Sequence, residues 1–459
     1  MKRNKLSTTK VRSTLPHNDP PAAKKTGSQL TLWPLVAVTF FMVSGGTYGT
    51  EDIIHGAGYK LGTLILILTP LLWSLPTALM VGELASALPA DGGYYAWVRR
   101  AMGNFWGFQE AWLSLVGSIF DMALYPTLFV LYLSRLVPWF TVGHRGLIVG
   151  LAVITVCVLM NIAGIRVVGT TSLGLFLLLS APFALLVLLT PFKIGAFRGA
   201  AISSSSTIGL LGGLLIAMWN YMGWDSASTV AADVAHPQRT YPRAMFLAVL
   251  LVSMSYLLPV SAMWILGVPS SAFSTGSWAN FAALVGGPWL GVALVLGGMM
   301  SAFGMFNALT MSFSRLPLVM AADGLLPKVF AKLHPQTRAP WVAIIACAVG
   351  WGTCLQLGFE RLIIIDVLLT GLSLLLEFAA LVALRVREPN LVRPFRVPGG
   401  TLTAVLLGVC PALLLIFSAV RSHQESFFGI NGLVFGVLLI AAGVVVYYLG
   451  PAKHGAKAS

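Results

Sequence analysis

The amino-acid sequence predicts an all-α integral membrane protein with about twelve transmembrane helices. Hydrophobic residues make up 57% of its 459 residues, charged residues only 10%, and the mean hydropathy is +0.85. An ordinary soluble domain carries about 25% charged residues. Apolar runs recur that are long enough to cross about 30 Å of hydrocarbon. These runs lie at about residues 31–55, 61–88, 105–137, 147–163, 167–190, 207–234, 244–267, 284–314, 340–358, 362–384, 402–420 and 429–449.

The distribution of Lys and Arg predicts the orientation of these helices. Residues 1–28 are polar and basic, and they lack the apolar core and cleavage site of a signal peptide. We expect a disordered cytoplasmic tail there. On that assumption 22 of the 29 Lys and Arg residues fall in tails and loops on the cytoplasmic side, as the positive-inside rule requires. We therefore expect a multi-pass protein of the cell membrane with both termini in the cytoplasm.

Several function classes are disfavoured by what the chain lacks. The formal net charge of +14 is spread over many loops, which predicts contact with the lipid bilayer and no nucleic-acid partner. No P-loop or G-x-S-x-G motif is present, so we do not expect an enzyme. The cysteines have neither zinc-site nor disulfide spacing, and we expect no cofactor and no metal. They are Cys157, Cys347, Cys354 and Cys410.

Two short polar breaks, SGGTYG at 44–49 and NYMGWD at 220–225, interrupt hydrophobic segments. Unwound backbone inside a bilayer is tolerated only where protein or a water-filled cavity satisfies its polar groups, so paired breaks predict a transporter's central cavity. A channel would instead need a continuous pore. The predicted substrate-binding residues are Ser44, Gly45, Gly46, Tyr48, Asp121, Tyr125, Trp219, Asn220, Gly223, Trp224 and Asp225.

Each residue type in this set has a chemical reason. Glycines would let the first helix unwind and expose N–H groups, where the helix dipole favours an anion such as an amino-acid carboxylate. Free carbonyls at the helix ends, together with Asp121 and Asp225, would suit an ammonium group. The aromatic rings could hold a cation face-on, and ordinary packing of each ring remains an equal alternative.

Acidic residues within apolar runs are informative because a charge at mid-bilayer costs about 2.5 to 3.5 kcal/mol. Glu51 and Asp52 follow the first break, and Glu83 lies late in the second predicted helix. These three are predicted proton-coupling residues, with Asp121 as a further candidate. For Glu83, a neutral or helix-capping carboxylate is an open alternative.

Two further segments predict a closure on the cytoplasmic side, although simple loops are an equal alternative. Residues 91–97 read as a turn and a short helix beneath the cavity. Arg315 and the Asp323-Gly324 pair could contribute to the same closure. The fifth predicted helix has no lysine in its middle, which leaves the coupling ion open.

Several motifs together resemble the amino acid-polyamine-organocation (APC) superfamily, and within it the polyamine:proton symporter branch. They occur in order between about residues 30 and 420: SGGTYGTEDIIHGAG, GELASALPADGGYYAWVRRAMGNFWGFQEAW, DMALYPTLFVLYL, MWNYMGWDSASTVAADVAHPQRTYPRA, SAFGMFNALTMSFSRLPLVMAADGLLPKVFAKLHP and REPNLVRPFRVPGG.

The resemblance implies the 5+5 inverted repeat of the leucine transporter, with discontinuous helices 1 and 6. The transporter core would then span 29–395, with repeats at 29–190 and 205–395, two accessory helices at 400–450 and a cytoplasmic tail at 451–459. It implies secondary active transport of amino acids or polyamines by alternating access, as proton-coupled symport. An amino-acid exchanger, a uniporter or a transporter-like nutrient sensor is the alternative.

Overall fold

The computed structural model of the chain describes residues 29–194, 209–355, 359–422, 426–427 and 429–449. The predicted tails at 1–28 and 451–459 lie outside these residues. The α-helices in chain order are α1 (Leu32–Val43), α2 (Glu51–Thr69), α3 (Leu75–Ala87), α4 (Gly93–Met102), α5 (Asn104–Leu136), α6 (Arg145–Ile162), α7 (Ile165–Leu189), α8 (Gly209–Asn220), α9 (Pro237–Leu266), α10 (Trp278–Gly286), α11 (Pro288–Phe313), α12 (Arg315–Ala322), α13 (Trp341–Gly352), α14 (Phe359–Arg387), α15 (Gly400–Ser422) and α16 (Gly432–Leu449). Two-residue strands at Ser426–Phe427 and Ile430–Asn431 pair antiparallel.

Nine helices within the described residues are long and apolar enough to cross a membrane. Because hydrocarbon offers no partner for backbone polar groups, continuous helices satisfy them internally. The chain is therefore a multi-pass helical membrane protein. The nine are Glu51–Ala87, Asn104–Leu136, Arg145–Ile162, Ile165–Lys193, Pro237–Leu266, Pro288–Ala322, Ile365–Arg387, Gly400–Phe417 and Gly432–Leu449.

Both polar breaks interrupt helices in the structure. α1 ends at Val43 and α2 begins at Glu51, and the residues between them are not helical. Gly46 and Gly49 there have φ of +80° and +93°, a left-handed conformation that residues with a Cβ rarely adopt. α2 is itself interrupted at Gly58, where φ is +68° and ψ is 174°.

The second break differs from the first because no regular α-helix follows it directly. α8 ends at Asn220, Gly223 has φ of +91°, and 3₁₀ turns cover Asp225–Thr229 and Ala231–Asp233. The apolar run predicted at 207–234 thus becomes a helix followed by tight turns. These turns contact α1, α4 and α11, which supply partners for the irregular backbone.

The short helix predicted after residue 91 is α4. It begins against the second break: the N–H of Tyr94 donates to Ser228 Oγ at 3.2 Å, and that of Gly92 donates to the Thr229 carbonyl at 3.1 Å. α5 contacts α4, α11 and α14 and carries a long buried face. We refer to the part of the bundle around α4, α12 and the C-terminal end of α14 as the α4 end.

Candidate functional site

The two breaks lie against each other in the middle of the bundle. Asn220 Nδ2 donates to the carbonyl of Gly49 at 3.2 Å and to that of Ile216 at 2.8 Å. A Cβ at Gly223 would lie 2.3 Å from the carbonyl oxygen of Met42, a distance that no side chain tolerates. The absence of a side chain at Gly223 therefore lets the second break approach the end of α1.

Three backbone polar groups of the first break already have hydrogen-bond partners within the protein. The N–H of Gly46 donates to Ser44 Oγ at 3.0 Å, and the N–H of Gly49 donates to Glu51 Oε2 at 2.7 Å. The carbonyl of Gly45 accepts a bond of 2.6 Å from Ser301 Oγ. Two of the N–H groups expected to take a substrate carboxylate are thus satisfied within the protein.

Trp219 and Val43 both line two small cavities. The larger, which we call the acidic cavity, has a volume of about 30 Å³ and is lined by Met42, Val43, Ser114, Asp121, Tyr125, Trp219, Met222, Gly223, Asp225, Ser226, Leu309, Phe313, Asp366 and Thr370. The smaller, the neutral cavity, has about 10 Å³ and is lined by Val43, Gly45, Tyr48, Leu128, Tyr132, Trp219, Asn220, Gly298, Ser301, Ala302 and Met305. A cavity needs about 10 to 15 Å³ on this measure to hold one water, so neither cavity has room for an organic substrate in this conformation, which we call the closed form.

Asp121 is held in the acidic cavity by two aromatic donors. Its Oδ1 accepts from the Tyr125 hydroxyl at 2.7 Å and from Trp219 Nε1 at 3.2 Å. The two rings stack at an interplanar angle of 22°. Asp225, at the start of the 3₁₀ turn after the second break, is 7% exposed and lines the same cavity. Together with Gly223, five of the predicted site residues thus line one cavity.

A third carboxylate, Asp366 of α14, completes the acidic cavity and was missed in the sequence. Its Oδ1 accepts from Thr370 Oγ1 at 2.9 Å, whereas its buried Oδ2 has no hydrogen-bond partner. The signal that identified Asp121, an acid inside an apolar run, applies equally to Asp366, since it lies in the run at 362–384.

The acidic cavity has no cation in its wall, because none of its lining residues is Lys or Arg. Among the residues that the structure describes, no group of three or more His, Cys, Asp and Glu is arranged to hold a metal ion. Three acids in the wall of one cavity, with aromatic faces beside them, are suited to bind a molecule with several positive charges.

Two predicted aromatic residues lie elsewhere. Tyr48 lines the neutral cavity, where its hydroxyl donates to the carbonyl of Leu294 at 2.5 Å. Trp224 lines neither cavity: it is fully buried, and its Nε1 donates to the carbonyl of Tyr221 at 2.8 Å. The surroundings of Trp224 are those of a packing residue. Packing was the alternative to holding a cation for each of the predicted aromatic rings.

Two of the proton-coupling candidates lie beyond the first break. Glu51 is fully buried and accepts from the N–H groups of Gly49 and Gly276 and from the Tyr132 hydroxyl, at 2.7, 3.0 and 3.1 Å. Asp52 accepts from Thr275 Oγ1 at 3.2 Å. Both acids thus connect the start of α2 to the loop before α10. Proton transfer by them stays a prediction.

Glu83 has different surroundings. It forms buried ion pairs with Arg385 and Arg393, and it accepts from the N–H of Val397 at 2.8 Å. It does not line either cavity. These partners favour a structural role, although proton transfer by Glu83 also stays a prediction.

Comparison with known proteins identifies a family that the sequence of this chain matches. The chain matches the model of the amino acid permease family over residues 35–442. It is 34% identical to the polyamine transporter RMV1 of Arabidopsis thaliana over 90% of this chain and 84% of that protein. It is 34% identical to the polyamine transporter PUT1 of Oryza sativa subsp. japonica over 91% and 78% of the two chains. It is also 26% identical to the serine/threonine exchanger SteT of Bacillus subtilis over 82% and 85%.

Proposed function

This chain belongs to the amino acid permease family of the APC superfamily, as its motifs predicted, and from that premise we propose that it is a polyamine:proton symporter. Proteins of the family and the relatives named above are transporters and not enzymes, so the chain is a membrane transporter for a small molecule. The observation that carries the proposed substrate is the acidic cavity, with Asp121, Asp225 and Asp366 in its wall.

Electrostatics favours a multivalent amine over a neutral substrate. Three carboxylates buried without a cation are costly to ionise together. A di- or polyamine would neutralise several of them at once, and the faces of Tyr125 and Trp219 would stabilise an ammonium group further. The amine loses its hydration on entry, so recognition requires the carboxylates to offset that loss.

The first break gives little support to an amino-acid carboxylate as the group recognised. The N–H groups of Gly46 and Gly49 donate to Ser44 and Glu51, and a substrate carboxylate would have to displace these acceptors. An amino-acid exchanger, the activity in the name of the Bacillus subtilis relative, is the second candidate, and the test below separates the two.

We also propose the twelve-helix, 5+5 topology with the domain boundaries given above. Gly58 supports it, because the interruption there divides α2 between a first spanning segment, with α1 as its other half, and a second that continues through α3. α8 and the turns after Asn220 would form the sixth segment, and α4, α10 and α12 would be short connecting helices. The twelve segments would be α1 with 51–57, 59–87, α5, α6, α7, α8 with 221–234, α9, α11, α13, α14, α15 and α16.

Ion pairs at the α4 end suit an inner gate in alternating access. Arg315 pairs with Asp91 at 3.1 Å and with Asp233 at 2.5 Å, which links the loop before α4 to the 3₁₀ turns that follow the second break. Asp323 pairs with Arg99 at 2.5 Å, linking α4 to the end of α12. We propose that this end faces the cytoplasm of the cell, with both termini on that side, and that these pairs separate when the site opens inward.

Uptake by the purified full-length chain in proteoliposomes tests the proposed function. We expect concentrative uptake of labelled spermidine and putrescine in sodium-free buffer when the outside is more acidic, and its collapse on addition of a protonophore. Uptake of serine only in exchange for internal serine, with no response to the pH gradient, would support the exchanger instead. Sodium-dependent uptake without a pH response would contradict proton coupling.

A further inference from the structure

Two carboxylates buried at the contact between α5 and α14 take no part in the site described so far. Glu110 of α5 and Glu377 of α14 are both fully buried. Ser373, one turn before Glu377 on the same face of α14, donates to Glu110 Oε1 at 2.5 Å. Glu110 Oε2 and both oxygens of Glu377 have no hydrogen-bond partner. The two acids thus lie close together with three carboxylate oxygens unsatisfied.

No basic residue compensates these acids within the described part of the chain. Neither forms an ion pair, and the groups that act electrostatically on Glu377 are the carboxyls of Asp225 and Glu110. Arg385, two turns further along α14, is paired with Glu83. From Gly400 to Val420, α15 contains no Asp, Glu, Lys, Arg or His. The buried charge of the pair therefore has no resident counterion.

The side chains of Ser114 and Ser373 connect the pair to the acidic cavity. Ser114 lines that cavity, lies 2.9 Å from Ser373 Oγ and donates to Glu110 Oε1 at 3.3 Å. Tyr94 of α4 is fully buried beside the same groups. Burial raises the pKa of the Tyr94 hydroxyl well above its usual value, and three neighbouring carboxyls raise it further. They belong to Asp225, Glu110 and Glu377.

Only a small occupant fits these observations. An ionised carboxylate buried without a cation or a hydrogen-bond donor is strongly unfavourable, so such groups take up a proton instead. Two neighbouring carboxylates that cannot both be ionised share the first proton. A metal ion needs several ligands, and no group of three or more His, Cys, Asp and Glu could hold one among the described residues. A proton needs only one carboxylate oxygen, so the pair is suited to bind a proton.

We propose that Glu110 and Glu377 form the proton-binding site that couples proton entry to substrate transport. A carboxylate oxygen of the pair takes a proton from water that reaches the opened acidic cavity, and releases it to water on the other side. No other bond changes. When an amine occupies the acidic cavity, closing packs α5 against α14 and removes water from the pair, so the loaded chain closes only when the pair carries a proton. The proton then leaves to water on the inner side and the empty chain returns without it, so each amine carried inward brings one proton.

The inference rests on the proposed symport and is tested in the same proteoliposomes with Glu377→Gln and Glu110→Gln. Glutamine mimics the protonated acid, so both variants should still close. We expect them to retain exchange of internal for external spermidine at equal pH, but to lose accumulation driven by a pH gradient. Proton entry per spermidine, followed with an internal pH dye, should fall to the background of empty vesicles. Glu388→Gln, the same chemical change at the residue that follows α14, is the matched control and should keep both activities.

The outcomes separate this site from the function on which it depends. If the unmodified chain shows no response to the pH gradient, proton symport itself fails. If the unmodified chain responds and both glutamine variants still accumulate spermidine with proton entry, the assignment of the pair is overturned. If both variants lose exchange as well as accumulation, the assignment of the pair is overturned in favour of a structural role. If a sodium gradient drives accumulation by the unmodified chain and Glu377→Gln abolishes it, the pair binds sodium and the assignment to a proton is overturned.

Discussion

Carboxylates at the α4 end and those in the middle of the bundle have opposite surroundings. At the α4 end, each acid has an arginine partner: Glu83 pairs with Arg385 and Arg393, Asp91 and Asp233 with Arg315, Asp323 with Arg99, and Glu388 with Arg100. In the middle, no Lys or Arg in the described ranges forms an ion pair with the acids there. Those acids are Glu110, Asp121, Asp225, Asp366 and Glu377.

The difference separates two uses of buried charge. A resident arginine fixes a carboxylate in its ionised state, so the pair connects elements and does not respond to a ligand. An acid without a resident cation must take up a proton or meet a cation that arrives from outside. The first arrangement suits a closure or a structural clamp, and the second suits substrate recognition and proton coupling. Three predictions test this division.

The largest effect is expected from Arg385→Leu, which leaves the fully buried Glu83 with one fewer arginine. Arg385 also donates to the carbonyl of Val397 at 3.0 Å, so its removal frees the segment before α15. Breaking a buried pair by removing one partner costs about 3 to 5 kcal/mol. We expect the variant to aggregate or to unfold at a much lower temperature in detergent. The measurement is the size-exclusion peak that remains after the protein has been heated to a series of temperatures.

The double variant Glu83→Gln with Arg385→Leu is the matched control. It removes the carboxylate charge that Arg393 alone would otherwise offset, so it should recover part of the lost thermal stability. The recovery is limited because Arg393 then loses its ion pair with Glu83 and the contact to Val397 is still missing. If Arg385→Leu is as stable as the unmodified chain, the clamp at this site is not structural and the division between the two regions fails there.

The sequence predicted the broken helices but not all of their geometry. Glycine-rich polar residues within apolar runs have few physical explanations in a membrane, so both breaks and the acids Asp121 and Asp225 could be identified without coordinates. Trp224 lines neither cavity, and Gly223 just before it has a left-handed conformation. Helical periodicity gives no direction for a side chain that follows such a turn.

Contacts between distant segments were beyond the sequence. Glu83 and Arg385 are 302 positions apart, and nothing local indicates that they meet. Asp366 and Glu377 are acids inside an apolar run, as Asp121 is, but which face of that helix meets α5 is set by tertiary packing. The paired and unpaired acids therefore look alike in the sequence and differ only in the fold.

A smaller effect is expected from removing one charge of the acidic cavity. Asp121→Asn, Asp225→Asn and Asp366→Asn each keep the size of the side chain but remove a charge that offsets the desolvation of an amine. We expect each to weaken the apparent affinity for spermidine by about tenfold or more, or about 1.4 kcal/mol. The measurement is competition against labelled spermidine, with any transport of a neutral amino acid as the internal control.

The loss at Asp366 is the most informative of the three, because its Oδ2 is buried with no partner. A multivalent amine should be affected more than a monovalent one. An equal loss for spermidine and for a neutral amino acid would mean that these acids act in proton coupling or folding, and would remove the support for polyamine recognition.

The smallest effect is expected at the exposed pair of Arg100 and Glu388. Their side chains are 40% and 32% exposed, and two hydrogen bonds of 3.0 and 2.7 Å join them. Exposed pairs contribute about 0.2 to 1 kcal/mol because water screens them and both side chains lose freedom. We expect Glu388→Gln to lower thermal stability only slightly, less so in high salt, with unchanged spermidine uptake. A loss of transport in this variant would show that a paired acid at the α4 end takes part in the transport cycle, and the division between the two regions would fail there.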